Sequence, residues 1–265
     1  MIYDIQKASL MKRFSAFLLD FILAFMLSMG FIFLLGNITN FDYYSQGYHN
    51  RVTEIEESYN IGEISEKHGV TLNDYTMMTD DEKKLLPEEV TTAFEACIAA
   101  IDSDSDIIRF YEMRVTLALL IPSIGILLAS LVLDFAVPMI FKNGQTLGKK
   151  LFSIAVMRVD GVKVSTFELF VRSILGKYTI ETMVPFLMFI SLLGGASIMS
   201  LAVLLLIFLL QVVTIITTKT NSLIHDKLAS TVVVDLQSQM IFDSVSAMQE
   251  YKTEIHKEMV DKADY

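Results

Sequence analysis

Val184 to Thr218, VPFLMFISLLGGASIMSLAVLLLIFLLQVVTIITT, is a run of 35 residues without a formal charge. As a single helix it would be about 52 Å long, against about 30 Å of bilayer hydrocarbon, so it folds back or tilts severely. Gly194-Gly195 stands between two apolar limbs and is the natural turn. The expected result is a helical hairpin, with limbs of about Thr179 to Leu193 and Ala196 to Thr218.

Two further spans lie upstream. Phe14 to Leu35 is broken only by Ser15, Asp20 and Ser28, which is long enough to cross a bilayer. Lys7, Lys12 and Arg13 ahead of it resemble a signal-peptide flank, but an Asp mid-run and its length favour an uncleaved anchor. Val115 to Phe141 gives another span, with Pro122 and Pro138 near its ends and Asp134 inside. The fold class expected is an all-α membrane protein of four transmembrane helices, with a small helical insertion and a short β-hairpin.

Charge orients these spans. Lys142, Lys149, Lys150, Arg158, Lys163, Arg172 and Lys177 crowd the segment after the second span and place it in the cytoplasm. Lys7, Lys12 and Arg13, together with Lys219 and Lys227, put both termini on the same side. Residues 37–114 carry 17 of the 31 acidic residues against 6 basic ones, and are expected outside. The organisation is then 1–36 with the first helix, 37–114 as an acidic extracellular insertion, 115–236 as the rest of the membrane region, and 237–265 as an amphipathic cytoplasmic tail.

Composition excludes several functions. A net charge of −10 argues against nucleic acid, which needs a basic surface. The single Cys97 rules out an intramolecular disulfide framework and any CxxC motif. The chain carries no Walker A loop, GxGxxG, HExxH or GxSxG. No nucleophile and base pair stands out, so the reading is non-enzymatic, with no cofactor and no metal.

In the insertion, Thr79-Asp80-Asp81-Glu82 is a capping box ahead of Leu85, Leu86, Val90, Phe94, Ile98 and Ile101 at helical spacing. Asp102, Asp104 and Asp106 alternate as in a calcium loop but lack its Gly and distal Glu, which favours a solvated turn and helix start. His49 and His68 have no second ligand at metal spacing and read as surface residues. Beyond the second span, Ile154 to Val159, Asp160-Gly161 and Val162 to Val164 read as a hairpin with a type I′ turn, with Thr231 to Val234 as a third strand. In the tail, Ile241, Val245, Met248, Ile255 and Met259 recur at helical spacing, so a helix is expected to lie on the membrane, on the hairpin or on another subunit.

Three local patterns together resemble the RDD family of bacterial membrane proteins. The first is Arg13-Phe14-Ser15-Ala16-Phe17-Leu18-Leu19-Asp20-Phe21. The second is Gly144-Gln145-Thr146-Leu147-Gly148-Lys149-Lys150-Leu151, where Leu147 and Lys150 replace the family's Pro and Arg. The third runs from Leu223 through His225-Asp226-Lys227-Leu228-Ala229-Ser230 to Val234, with Ser230 for Gly. The resemblance covers residues 7–36 and 115–236. It implies a bacterial plasma-membrane protein suspected of transport, with cation/proton antiport proposed for some members.

The charged residues within the spans are the candidate site. Asp20 lies two helical turns beyond Arg13, on one face and about 10 Å into the membrane. Asp134 stands at a similar distance before the basic loop, so the two carboxylates are expected at one depth, where an unpaired anion is costly. Close carboxylates share a proton to higher pH, as a site for a proton or monovalent cation requires. The competing reading makes Asp20 the permanent counter-ion of Arg13, with Lys149 or Lys150 as further partners. His225-Asp226 reads either as a capped helix end or as a proton-entry pair. A transporter or transporter subunit is therefore expected, against a membrane anchor that binds partner proteins. The partners expected are the bilayer, a small cation or proton, and a second copy or another membrane protein.

Overall fold

The computed structural model describes residues 5–141, 143–195 and 198–263. Lys142 and Ala196, which entered the charge and hairpin readings, lie outside the described residues. Among the described residues, four helices are long and apolar enough to cross a membrane: α1 (Leu10–Ile38), α7 (Ser105–Phe141), α9 (Thr166–Leu193) and α10 (Ile198–Thr217). Between α1 and α7 come α2 (Phe41–Ser58), α3 (Ile61–His68), α4 (Leu72–Met77), α5 (Asp80–Lys83) and α6 (Glu88–Ser103). After α7 come α8 (Leu147–Leu151) and β1 (Ile154–Arg158). After α10 come α11 (Ile224–Leu228), β2 (Thr231–Asp235) and α12 (Val245–Ala263). The chain forms two compact units, Ile32–Pro122 and the remainder.

The unit of residues 32–122 is an ordinary helical domain around Ile55, Ile61, Tyr75, Val90, Phe94, Cys97 and Ile107. Tyr75 packs edge-on against Phe94 and donates its hydroxyl to Glu95 at 3.1 Å. The Thr79 capping box forms, but α5 is only one turn long. Pro87 cannot donate a backbone hydrogen bond, so the apolar series resumes as a separate helix, α6. Asp104 accepts from Arg51 at 2.8 Å and from the amides of Asp106 and Ile107, which makes it the cap that starts α7. Among the described residues, no group of three or more His, Cys, Asp or Glu is placed to hold a metal ion.

In the other unit, two expectations change. The third span starts at Thr166 rather than about Thr179, capped by Ser165 with Glu168 in a capping box. Arg172 and Lys177, counted as loop charges, therefore lie on a membrane helix, because each finds a carboxylate inside the bundle. The hairpin also re-pairs. β1 joins β2 antiparallel in the register Ile154↔Asp235 to Arg158↔Thr231. The Asp160-Gly161 turn closes through a Gly161 N to Arg158 O bond of 3.0 Å, but the returning residues make only an isolated bridge, Met157↔Lys163. The sheet is buried on both faces, which explains its unbroken apolar runs. Ile154, Val156 and Val233 meet Ala8 and Ala16, while Ala155, Met157, Val232 and Val234 meet Ile5, Leu236 and Ile241. The segment before α12 docks on the same turn, where Phe242 exchanges backbone bonds with Gly161 and Lys163.

Candidate functional site: a buried ion cluster

The inner face of α1 is unusual, because its buried residues are Ala16, Asp20 and Ser28 rather than large apolar ones. Asp20 accepts from the Thr146 hydroxyl and from the amide of Gly148 at 2.8 Å, with Lys149 Nζ at 3.9 Å. Thr146 is also the cap of α8 and accepts from Lys149 N. The carboxylate is thus held by the exposed amide dipoles of a helix start, which favour an anion. A β-carbon at Gly148 would collide with the carbonyl of Ala16, so only glycine lets α8 approach α1 this closely.

Asp226 is the centre of a second group. It is fully buried, bonds to Arg172, lies 3.1 Å from Arg13 Nη2, and accepts Leu223 N at 3.1 Å to close the start of α11. Although burial opposes ionisation, Arg172, His225 and Arg13 together hold its carboxyl well below the usual carboxylate range. Arg13 also donates to the carbonyls of Thr220 and Asn221, at 3.1 and 2.6 Å. The Arg13–Asp20 pair expected from helical spacing is replaced: two arginines converge on Asp226, while Asp20 turns to α8. Lys150 is exposed and sits over the Phe141 ring at 3.9 Å, away from Asp20.

His225 links the groups. Its Nε2 lies 3.2 Å from Arg172 Nη2, and its Nδ1 lies 2.7 Å from Glu181 Oε2. Arginine has only donors, so Nε2 accepts and Nδ1 carries the proton toward Glu181. Glu181 also accepts His225 N at 2.9 Å. A β-carbon at Gly176 would strike His225, so this glycine sets the contact between α9 and α11.

Asp134 pairs with Lys177 at 2.5 Å. Both stand on π-helical stretches, Leu131–Ala136 of α7 and Val171–Met183 of α9, which shift side chains out of normal helical register. Asp20, Asp134, Lys149, Arg172, Lys177 and His225 all line one cavity of about 90 Å³. That is above the threshold of about 10–15 Å³ needed to hold a water. The two aspartates expected to share a level do face a common space, each with its own lysine. Burial and the nearby Arg172 lower the Lys149 ammonium to about 8.

The cluster balances four cations (Arg13, Lys149, Arg172, Lys177) with four carboxylates (Asp20, Asp134, Glu181, Asp226). Sequence reading missed Glu181 and treated Arg172 and Lys177 as loop charges. The available signal was their spacing, five and four residues apart on the approach to an uncharged run.

The family model described as RDD family matches residues 7–230. No curated protein and no solved structure matches the chain. The three motifs, far apart in sequence, meet around one cavity and lie within the matched span, apart from the last few residues of the third. The chain belongs to the RDD family.

Proposed function

We propose that this membrane protein is a transporter or transporter subunit in which a monovalent cation is coupled to protons at the buried cluster. We place it in a bacterial plasma membrane with both termini cytoplasmic, because basic residues flank the spans and residues 37–114 are acidic. The observation that carries the reading is the cavity shared by Asp20 and Asp134, with Lys149 and His225 on its wall. Each carboxylate already has a protein cation, so an entering cation displaces a lysine, most simply Lys177 from Asp134. The charge that the cation brings in is then balanced by loss of a proton from Lys149 to the water of the cavity. A proton added at Nε2 of His225 opposes the donors of Arg172 and loosens its hold on Asp226. The chemistry needs no cofactor, and we propose no enzymatic role.

The complete pairing of the cluster favours a second reading, a non-transporting anchor whose charges lock the helices together. Flux separates the two. In proteoliposomes with an imposed pH gradient, sodium or potassium flux is expected and should be abolished in Asp20→Asn and Asp134→Asn while the protein stays folded. Unchanged flux in the double variant would put the anchor reading in front.

A further inference from the structure

Beside the ion cluster, α1, α7, α9 and α10 enclose a cleft of about 790 Å³, within the range of small-molecule sites. One wall is a stripe of α1, Phe14, Phe17, Phe21 and Phe25, at spacings of three and four residues that put all four on one face. Each of these rings is more than half exposed, so no protein group fills the space in front of them. Phe186 and Phe189 of α9 stand opposite. The apolar walls end at a rim that carries both signs of charge, Arg13 and Lys177 with Asp134 and Glu181.

We propose that this cleft is a specific site for a zwitterionic phospholipid, with an acyl chain along the phenylalanine stripe and the phosphate and ammonium of its headgroup at the charged rim. Three observations select that occupant. The walls are membrane-spanning helices, so hydrocarbon is the medium at this depth. Helix-to-helix contacts in membranes favour small residues that let backbones approach, whereas this stripe is large and aromatic, which suits a chain and not a second helix. The two cations and two anions at the rim are already paired within the protein and sum to zero, so a head with one charge of each sign adds no net charge there, whereas an anionic head would. The proposal does not rest on the transport reading, because lipid binding is read without any flux.

The test is photolabelling of the full-length protein in vesicles, using a phosphatidylethanolamine with a diazirine in its acyl chain. Phe17, Phe21 and Phe186 should label several-fold more than Phe208 and Leu209, exposed residues of α10 outside the cleft. Excess unlabelled phosphatidylethanolamine should erase that difference, and phosphatidylglycerol should not. Ala24→Trp, which fills the cleft, should remove labelling at Phe21 and leave Phe208 unchanged. The wild-type comparison decides even where that variant does not fold. Equal labelling at cleft and outer residues, equal competition by both lipids, or loss of cleft labelling as protein density rises would each overturn the proposal, the last by showing a second copy in the cleft.

Discussion

The 32–122 unit and the membrane helices of the remainder bury opposite things. Residues 32–122 hide Tyr75, Val90, Phe94 and Cys97 and turn their carboxylates outward. The remainder hides Asp20, Arg172, His225 and Asp226 and turns Phe14, Phe21, Phe208 and Leu209 outward. The same residue preferences operate against two solvents. Water rewards an apolar core, whereas lipid gives no gain for hiding Phe and makes every unpaired charge expensive, so polar groups gather inside and must satisfy one another. This is why the 32–122 unit is held by a contact cluster alone, whereas the other unit adds to its apolar sheet core an ion network fixed at Gly148 and Gly176.

The largest effect should come from removing the centre of the network. Asp226→Ala leaves Arg13 and Arg172 without their shared carboxylate and should cost about 3–5 kcal/mol, read as a large fall in thermal unfolding temperature in detergent. Rescue by a neutral second change at Arg172 should be partial. A drop below about 1 kcal/mol would mean that the cluster is solvated. The mirror experiment is Phe94→Ala, expected to cost about 3 kcal/mol and to raise hydrogen exchange across the 32–122 unit. Phe208→Ala, on a lipid-facing surface, should be close to neutral, and equal effects at the two positions would erase the distinction.

Smaller shifts should follow pH. Asp226 titrates below the usual carboxylate range in the fold, so its contribution is present above that range and is lost as the medium is acidified. Lys149 gives a slope of the same sign at higher pH. Its folded value of about 8 lies below the ordinary lysine value, so the unfolded chain binds more protons between the two. Stability should therefore rise with pH from about 8 to about 10.5, and Lys149→Met should flatten that rise. The smallest effect belongs to the water-facing unit. Arg51→Gln breaks ion pairs in which Arg51 is 42% exposed, and should leave the unfolding temperature nearly unchanged.

Much of this contrast was legible in residues. The unbroken runs gave four spans, and Asp20, Asp134 and the His225-Asp226 pair stood out because charges are rare in such runs. Pairing was not legible. Helical spacing favours Arg13 with Asp20, yet α11 brings Asp226 into reach of Arg13 and α8 takes Asp20, and both contacts depend on residues more than 100 positions apart. The start of α9 was hidden because Arg172, Lys177 and Glu181 look like a loop until their partners are known. Ser230, where the family pattern has Gly, adopts a left-handed conformation with φ 52°, a backbone demand that a Ser does not announce.

Transport requires that the charges packed away from lipid surround a space that water enters. Ser173 is buried, lines the shared cavity, and is close in shape to Cys. In a background where Cys97 is replaced by Ser, Ser173→Cys should react with a small, charged thiol reagent from the cytoplasmic side, and the lipid-facing Phe208→Cys should not. A Cys at 173 that stays unreactive from both sides, in folded protein whose Glu88→Cys control reacts, would contradict the claim and leave a dry structural lock.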